Sequence, residues 1–168
     1  MVELKRMRIN EVNEKLAGKE VLIKGWVDTI REHGKVMFLD VRDISGMIQT
    51  IVLAKDSDVF LEAKKLTNES CLSITGTVGL RPKGTEKKEL PTGKVELKIS
   101  KIEIFNICPP LPFDLNNEDT NEDIRLKYRY LDLRRKKMQD NLVVRNNVKK
   151  IMRDFLDANE VNYETRLS

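Results

Sequence analysis

The sequence predicts a mainly β fold: a five-stranded barrel with a short helix between its third and fourth strands, then a linker and a C-terminal amphipathic helix. Three observations lead to this prediction. All eight glycines lie before residue 94, the apolar–polar alternation typical of strands occupies the same part of the chain, and the glycine-free remainder carries a helical apolar stripe. We therefore expect a barrel domain at residues 1–106, a linker at 107–124 and a helical segment at 125–168.

The first three strands are predicted from apolar runs that end at turn residues. Residues 21–27 form an apolar stretch that can begin a long strand. In residues 35–43 an apolar side chain recurs at every second position from 37 to 41, and Gly46 then separates this strand from a third at 47–53. The apolar positions of the second strand are Met37, Leu39 and Val41.

The short helix and the last two strands follow. Apolar residues at helical spacing predict a helix at 58–67, and residues 72–78 predict the fourth strand. A loop rich in Gly, Pro and Lys at 81–93 leads to the fifth strand. Its apolar residues change parity between Ile99 and Ile102, so we expect a β-bulge near Ser100.

Five strands with a helix between the third and the fourth is the element order of the OB-fold barrel. An SH3-like barrel lacks that helix, and a five-stranded sandwich fits the pattern less well. The OB-fold is therefore the predicted fold, and these two remain its alternatives.

After the predicted barrel, the composition of the chain changes from proline-rich to acidic and then to basic. Three prolines at 109, 110 and 112 favour an extended linker, and an acidic run at 115–123 gives way to a basic run at 125–137. One helical face then carries Val144, Val148, Ile151, Met152 and Phe155. Only the barrel or another chain is available to cover that face, so we expect it to belong to an incomplete unit.

Composition bounds the compartment and the class of partner. The net charge of +4 and pI near 9.0 favour anionic partners only weakly. Cys71 and Cys108 fit neither a disulfide framework nor a metal clamp. No apolar run follows the first residues, and none approaches the ~18 residues of a membrane helix. We therefore expect a soluble cytoplasmic protein that does not contact a membrane.

Phe38 is the most informative single position. Its strand turns Met37, Leu39 and Val41 inward, so Phe38 should lie on the charged outer face with Asp40. An aromatic ring there can be a platform on which a nucleic-acid base stacks. The alternative is that the N-terminal segment or the linker covers it.

The polar candidates around Phe38 are less specific. Gln49 offers a donor and an acceptor to a base edge, and Glu96 can accept from a base amino group or form a cross-strand ion pair. Four basic side chains offer phosphate contacts or are plain surface: Arg31, Arg42, Arg81 and Lys83. His33, the only histidine, is expected to be a turn residue. No nucleophile elbow, phosphate loop or metal cluster occurs, so these patterns indicate a binding protein.

Four stretches resemble one family. Residues 25–34, 38–46 and 75–78 resemble the OB domain of class II aspartyl, asparaginyl and lysyl-tRNA synthetases. Residues 121–135, with Arg129-Tyr130-Leu131-Asp132 at their centre, resemble the entry to the catalytic domain of bacterial-type aspartyl enzymes. The resemblance identifies residues 1–106 as an anticodon-binding domain and 125–168 as the truncated start of the catalytic domain.

The resemblance also implies roles for individual residues. Phe38 matches the aromatic that stacks on the central anticodon uridine, and Gln49 matches the glutamine that reads its edge. Arg31 matches an arginine beside the anticodon loop, and Arg81 and Glu96 fall where the outer bases are contacted. Gly79 departs from the pattern, since bacterial relatives often have a basic residue there.

For the longer enzyme, the resemblance implies ATP-dependent joining of aspartate to tRNA-Asp, with Mg, in a homodimer. Residues 144–156 resemble the first class II motif, which builds the dimer interface, and Arg166 stands where the family has proline. The family's ATP-binding segments lie further downstream, so we expect this chain to hold no cofactor and to be inactive alone. Three alternatives stay open: an asparaginyl-tRNA synthetase fragment, a free-standing OB-fold nucleic-acid-binding protein, and a regulatory decoy that pairs with a full-length synthetase.

Overall fold

The computed structural model describes residues 4–87 and 89–159. The chain divides into two compact units, Met1–Pro110 and Leu111–Ser168, and each is described by itself below. The finer division into barrel, linker and catalytic-domain start stays a prediction.

The first unit is a closed five-stranded barrel, as predicted. Its strands are β1 (Glu20–His33), β2 (Val36–Asp43), β3 (Gly46–Leu53), β4 (Cys71–Leu80) and β5 (Val95–Asn106). They follow one another around the barrel in the order β1-β2-β3-β5-β4, and β4 pairs with β1 to close it. All neighbouring strands are antiparallel except β3 and β5, which are parallel. One helix, α1 (Ser57–Ala63), lies between β3 and β4 along the chain. The OB-fold prediction is confirmed.

The helix α1 is shorter than the predicted helix at 58–67. It ends at Ala63 because the chain must turn back to the barrel, where the Glu69 amide donates to the Val27 carbonyl over 2.7 Å. Glu69 adopts a left-handed φ of 69° in that turn. Leu66 lies beyond the helix but is still buried in the core.

β-Bulges or register irregularities bend the barrel wall at three places: Ser100 and Phe105 in β5 and Asp28 in β1. In β5, Lys101 pairs with Thr75 and Ile99 with Gly76, which leaves Ser100 unpaired, as predicted. The irregularities at Phe105 and Asp28 were not expected. Each bulge adds one residue to one strand and increases its local bend, which helps a small barrel to close.

The N-terminal segment closes one end of the barrel. Two short 3₁₀ helices, Ile9–Glu11 and Glu14–Leu16, carry the fully buried side chain of Ile9 into the core. The Ile9 amide donates to Asp43 Oδ2 over 3.1 Å. Asp43 is the last residue of β2, so this contact lies at the opposite end of that strand from Phe38.

The second unit is helical. It contains α2 (Glu122–Lys127), α3 (Arg129–Asp132) and α4 (Lys136–Ala158). Asp132 is fully buried and accepts from Arg129 over 2.6 Å and from Arg135 over 3.3 Å. Arg135 also donates to the carbonyl of Asn117. Part of the basic run at 125–137 therefore neutralises a buried carboxylate.

The apolar stripe predicted for the C-terminal helix lies on α4. Its residues are exposed in this chain, and Phe155 leaves 66% of its surface open. The stretch around Arg166, where the sequence departs from the family pattern, lies outside the described residues. Within residues 4–87 and 89–159, no helix combines the length and apolar character needed to cross a membrane.

Candidate nucleic-acid interface

Phe38 lies on the outer face of β2, where the strand alternation predicted it. Its neighbours Met37 and Leu39 are buried in the core, whereas Phe38 is half-buried. Phe38 pairs with Arg31 on β1. The ring of His33 lies edge-on to it, with 6.1 Å between ring centroids. His33, which was expected to be a turn residue, is the last residue of β1 and lies next to the Phe38 ring.

A chain of polar contacts runs across three strands beside Phe38. Arg31 Nη2 donates to Asp40 Oδ2 over 2.8 Å and lies 3.4 Å from Gln49 Oε1. Gln49 Nε2 in turn lies 3.5 Å from Glu96 Oε2. The strand register explains this proximity: Asp40 is paired with Gln49, and the parallel pairing of β3 with β5 brings Gln49 beside Glu96.

Arg81 lies at the edge of this chain of contacts but faces the protein. Only 7% of it is exposed. Its Nε donates to the Val95 carbonyl over 3.1 Å and its Nη1 to the Thr85 carbonyl over 3.2 Å. The positive charge of Arg81 nevertheless acts on Glu96 and Asp40. The structure thus gathers all five predicted residues in one region, although two Arg81 nitrogens are occupied by backbone carbonyls.

Burial shifts the pKa of two of these groups. Burial raises the pKa of the Glu96 carboxyl above 4.5, against the opposing effects of the Arg81 charge and the hydrogen bond from Gln49. Burial also lowers the pKa of Arg81, although the neighbouring carboxylates of Glu96 and Asp40 oppose that shift. The site therefore holds charged groups that are partly removed from water.

Two residues of the site were missed by the sequence analysis as candidates. Asp40 is only 5% exposed, and its Oδ2 also lies 3.5 Å from Lys87 Nζ. Its other oxygen, Oδ1, is buried and has no hydrogen-bond partner among the described residues. The one available signal was an acidic residue on the same strand face as Phe38. Nothing in the sequence indicated that Lys87, in a distant loop, would reach it.

Two other basic candidates are placed differently. Arg42 is held by two carboxylates: its Nε donates to Asp28 over 3.1 Å and its Nη2 to Glu69. Lys83 is exposed in the loop between β4 and β5. In the part of the chain that the structure describes, no three His, Cys, Asp or Glu side chains are arranged to hold a metal ion.

The barrel matches a known family of nucleic-acid-binding modules. Residues 21–105 match the OB-fold nucleic acid binding domain, and the chain belongs to that family. Residues 121–164 match the class II tRNA synthetases of the D, K and N group.

Curated relatives narrow the likeness further. Aspartate–tRNA(Asp/Asn) ligases of Syntrophomonas wolfei and Dictyoglomus turgidum are 45% and 44% identical over 150 and 154 residues, which is 88% and 89% of this chain. The chain spans 26% of the length of each relative. The predicted resemblance to aspartyl-tRNA synthetases is therefore confirmed.

Solved structures agree with this likeness. The asparaginyl-tRNA synthetase of Pyrococcus horikoshii, complexed with asparaginyl-adenylate, is 29% identical with a TM-score of 0.76, over 95% of this chain and 35% of that one. The aspartyl-tRNA synthetase of Entamoeba histolytica shares the fold, with a TM-score of 0.83 at 22% identity, over 98% of this chain and 40% of that one.

Proposed function

We propose that the barrel binds the anticodon loop of tRNA-Asp for a longer cytoplasmic enzyme that joins aspartate to this tRNA. The main support for this proposal is the half-buried aromatic ring of Phe38. It lies beside a continuous chain of polar contacts through Arg31, Gln49 and Glu96. An aromatic platform beside hydrogen-bonding side chains is how OB-folds bind single-stranded nucleic acid. The names of the curated relatives support the choice of tRNA.

Each residue of the site has a proposed role. Phe38 stacks on the central uridine of the anticodon, and the Gln49 amide reads that base, because an amide can pair with both the donor and the acceptor of a uracil edge. Arg31 lies beside the loop and contacts its phosphates. Glu96 and Arg81 border the outer anticodon bases. Since two Arg81 nitrogens already donate to carbonyls, its contribution to RNA binding is mainly electrostatic.

Catalysis is assigned to the rest of the longer enzyme. ATP and Mg are its proposed substrate and metal ion, and no described residue of this chain is assigned to hold them. We also propose that α4 pairs with a second copy to form a homodimer, since its apolar face is exposed. This chain alone is expected to bind RNA without aminoacylating it.

An asparaginyl enzyme is the second candidate. The likeness to the Pyrococcus horikoshii asparaginyl-tRNA synthetase favours it, and the central uridine is common to the aspartate and asparagine anticodons. Phe38 and Gln49 therefore cannot separate the two. The relatives named aspartate–tRNA(Asp/Asn) ligase favour a site that accepts both tRNAs. Comparing the affinity for aspartate and asparagine anticodon stem-loops distinguishes these cases.

Phe38→Ala tests the stacking role. We expect it to weaken binding of an aspartate anticodon stem-loop by about 1–3 kcal/mol, the usual contribution of one stacked base, without unfolding the barrel. Fluorescence anisotropy with a labelled stem-loop measures the affinity, and circular dichroism measures folding. Phe105→Ala is the matched control, because Phe105 is an exposed aromatic residue on a different strand, β5. Equal affinity of Phe38→Ala and the unmodified chain would rule out stacking on Phe38.

A further inference from the structure

Asp40 lies at the buried centre of the chain of polar contacts beside Phe38. It is only 5% exposed, yet its Oδ2 is shared by Arg31 at 2.8 Å and Lys87 at 3.5 Å. Removing a carboxylate from water is costly unless cations compensate it. Asp40 itself is too buried to be a main contact for RNA. Asp40 can therefore influence RNA binding mainly through the side chains that it contacts.

We infer that Asp40 is a positioning residue for base discrimination, an inference that rests on the proposed anticodon function. Asp40 holds the Arg31 guanidinium, and Arg31 directs a donor at Gln49 Oε1. With its oxygen facing Arg31, the amide turns its nitrogen toward Glu96 Oε2. Through Arg31, Asp40 thereby helps to fix which end of the Gln49 side chain is the acceptor and which is the donor, together with Glu96.

The orientation of an amide matters because its two ends have nearly the same shape but opposite hydrogen-bonding character. Uracil and cytosine differ in a similar way: uracil presents the O4 acceptor where cytosine presents an amino donor. A fixed amide therefore favours one pyrimidine over the other, and an amide free to flip favours neither. Loss of the Asp40 charge should reduce discrimination between the two bases more than it reduces affinity.

The test compares two variants that remove the same charge. Asp40→Asn removes it from the proposed positioning residue. Asp28→Asn removes it from a carboxylate of the same barrel that pairs with Arg42 and not with Arg31. The measured quantity is the ratio of affinities for two anticodon stem-loops, one with a central uridine and one with cytidine there. We expect Asp40→Asn to lower this ratio roughly tenfold, within the range that a well-held base contact provides. Asp28→Asn should leave it within about twofold.

A double-mutant cycle separates positioning from general damage. In a chain carrying Gln49→Ala, Asp40→Asn should have no further effect on the ratio, because the side chain that it orients is gone. Equal losses for both stem-loops, or an undiminished effect in the Gln49→Ala chain, would overturn the inference. If Asp40→Asn does not fold, Arg31→Gln breaks the same chain of contacts at a more exposed side chain and should lower the ratio similarly.

A measurement without RNA distinguishes failure of this inference from failure of the proposed function. In the free chain, Asp40→Asn should shift the NMR signals of the Gln49 side-chain amide, whereas Asp28→Asn should not. If the unmodified chain prefers the uridine loop but Asp40→Asn changes neither the signal nor the ratio, only the role of Asp40 is overturned. If the unmodified chain has no preference, the anticodon function fails and the discrimination role of Asp40 fails with it.

Discussion

At the scale of single residues, the candidate interface places carboxylates where they are poorly solvated. Glu96 is half-buried, and burial raises its pKa despite the nearby charge of Arg81 and the hydrogen bond from Gln49. A raised pKa means that the ionised form is less stable in the folded chain than in the unfolded one. The ionised Glu96 carboxylate therefore lowers the free energy of unfolding at neutral pH. A residue that costs stability in this way is consistent with a role in binding.

This reasoning gives a pH-dependent prediction for Glu96→Gln. Between 4.5 and the raised folded pKa, the folded chain binds more protons at Glu96 than the unfolded chain does, so the free energy of unfolding falls as pH rises. Glu96→Gln removes this effect. The variant should be more stable than the unmodified chain at about pH 7, and this advantage should shrink as pH falls toward 4.5.

Urea unfolding at several pH values measures the difference. Glu103→Gln, at an exposed position of the same strand, is the control for general loss of a charge. A variant that is less stable than the unmodified chain at neutral pH would show that the Glu96 carboxylate contributes more through its contacts than burial costs it.

For single residues, the sequence predicts on which face of a strand a side chain lies but not how deeply that side chain is buried. Phe38 could be placed from alternation alone, because side chains on a strand point to opposite faces in turn. Asp40 could be placed on the same face, but its burial could not be predicted. One of its contacts is with Lys87, which lies 47 residues away in a loop. Contacts of this range are set by the closed barrel and leave no local pattern in the sequence.

At the scale of elements, the barrel depends on its N-terminal segment. Ile9 and Val12 are almost fully inaccessible and belong to the same apolar core as the strands. The short 3₁₀ turns of the segment have no long apolar period that a sequence pattern could reveal. For that reason the sequence predicted the five strands and the bulge at Ser100, but not this closure.

Ile9→Ala tests the closing role of the segment. We expect a loss of about 2–5 kcal/mol in the free energy of unfolding, the usual cost of truncating a fully buried aliphatic side chain. Chemical denaturation followed by Trp26 fluorescence measures it. Ile44→Ala is the control, since Ile44 is 92% exposed and should change stability by less than about 0.5 kcal/mol. Similar small losses for both variants would mean that the segment packs loosely.

At the scale of the whole molecule, the second unit leaves the apolar residues of α4 exposed to solvent. The apolar residues of α4 follow a helical period along one face, and contiguous exposed apolar surface commonly marks a protein–protein contact. The sequence predicted this stripe correctly, because a helical period is a local property. What covers it depends on other chains or domains, so local sequence patterns cannot determine it.

The proposed homodimer gives a prediction for α4. The unmodified chain should associate reversibly at micromolar concentration, and Ile151→Glu should prevent this by placing a charge in the apolar face. Sedimentation equilibrium measures the association. Asn146→Glu introduces the same charge on the opposite side of the helix, at 100° per residue, and should leave association unchanged. Dimers that persist in Ile151→Glu would exclude this face as the contact.

The proposed function depends on whether the barrel reads the central base of the anticodon. The most direct measurement is the affinity of the unmodified chain for an aspartate anticodon stem-loop and for the same loop with its central uridine replaced, each at two salt concentrations. We predict a loss of about 1–3 kcal/mol on replacement at both salt concentrations, since base contacts depend less on salt than phosphate contacts do. Equal affinities for the two loops, weakening together as salt rises, would contradict the account and leave a barrel that binds nucleic acid by charge alone.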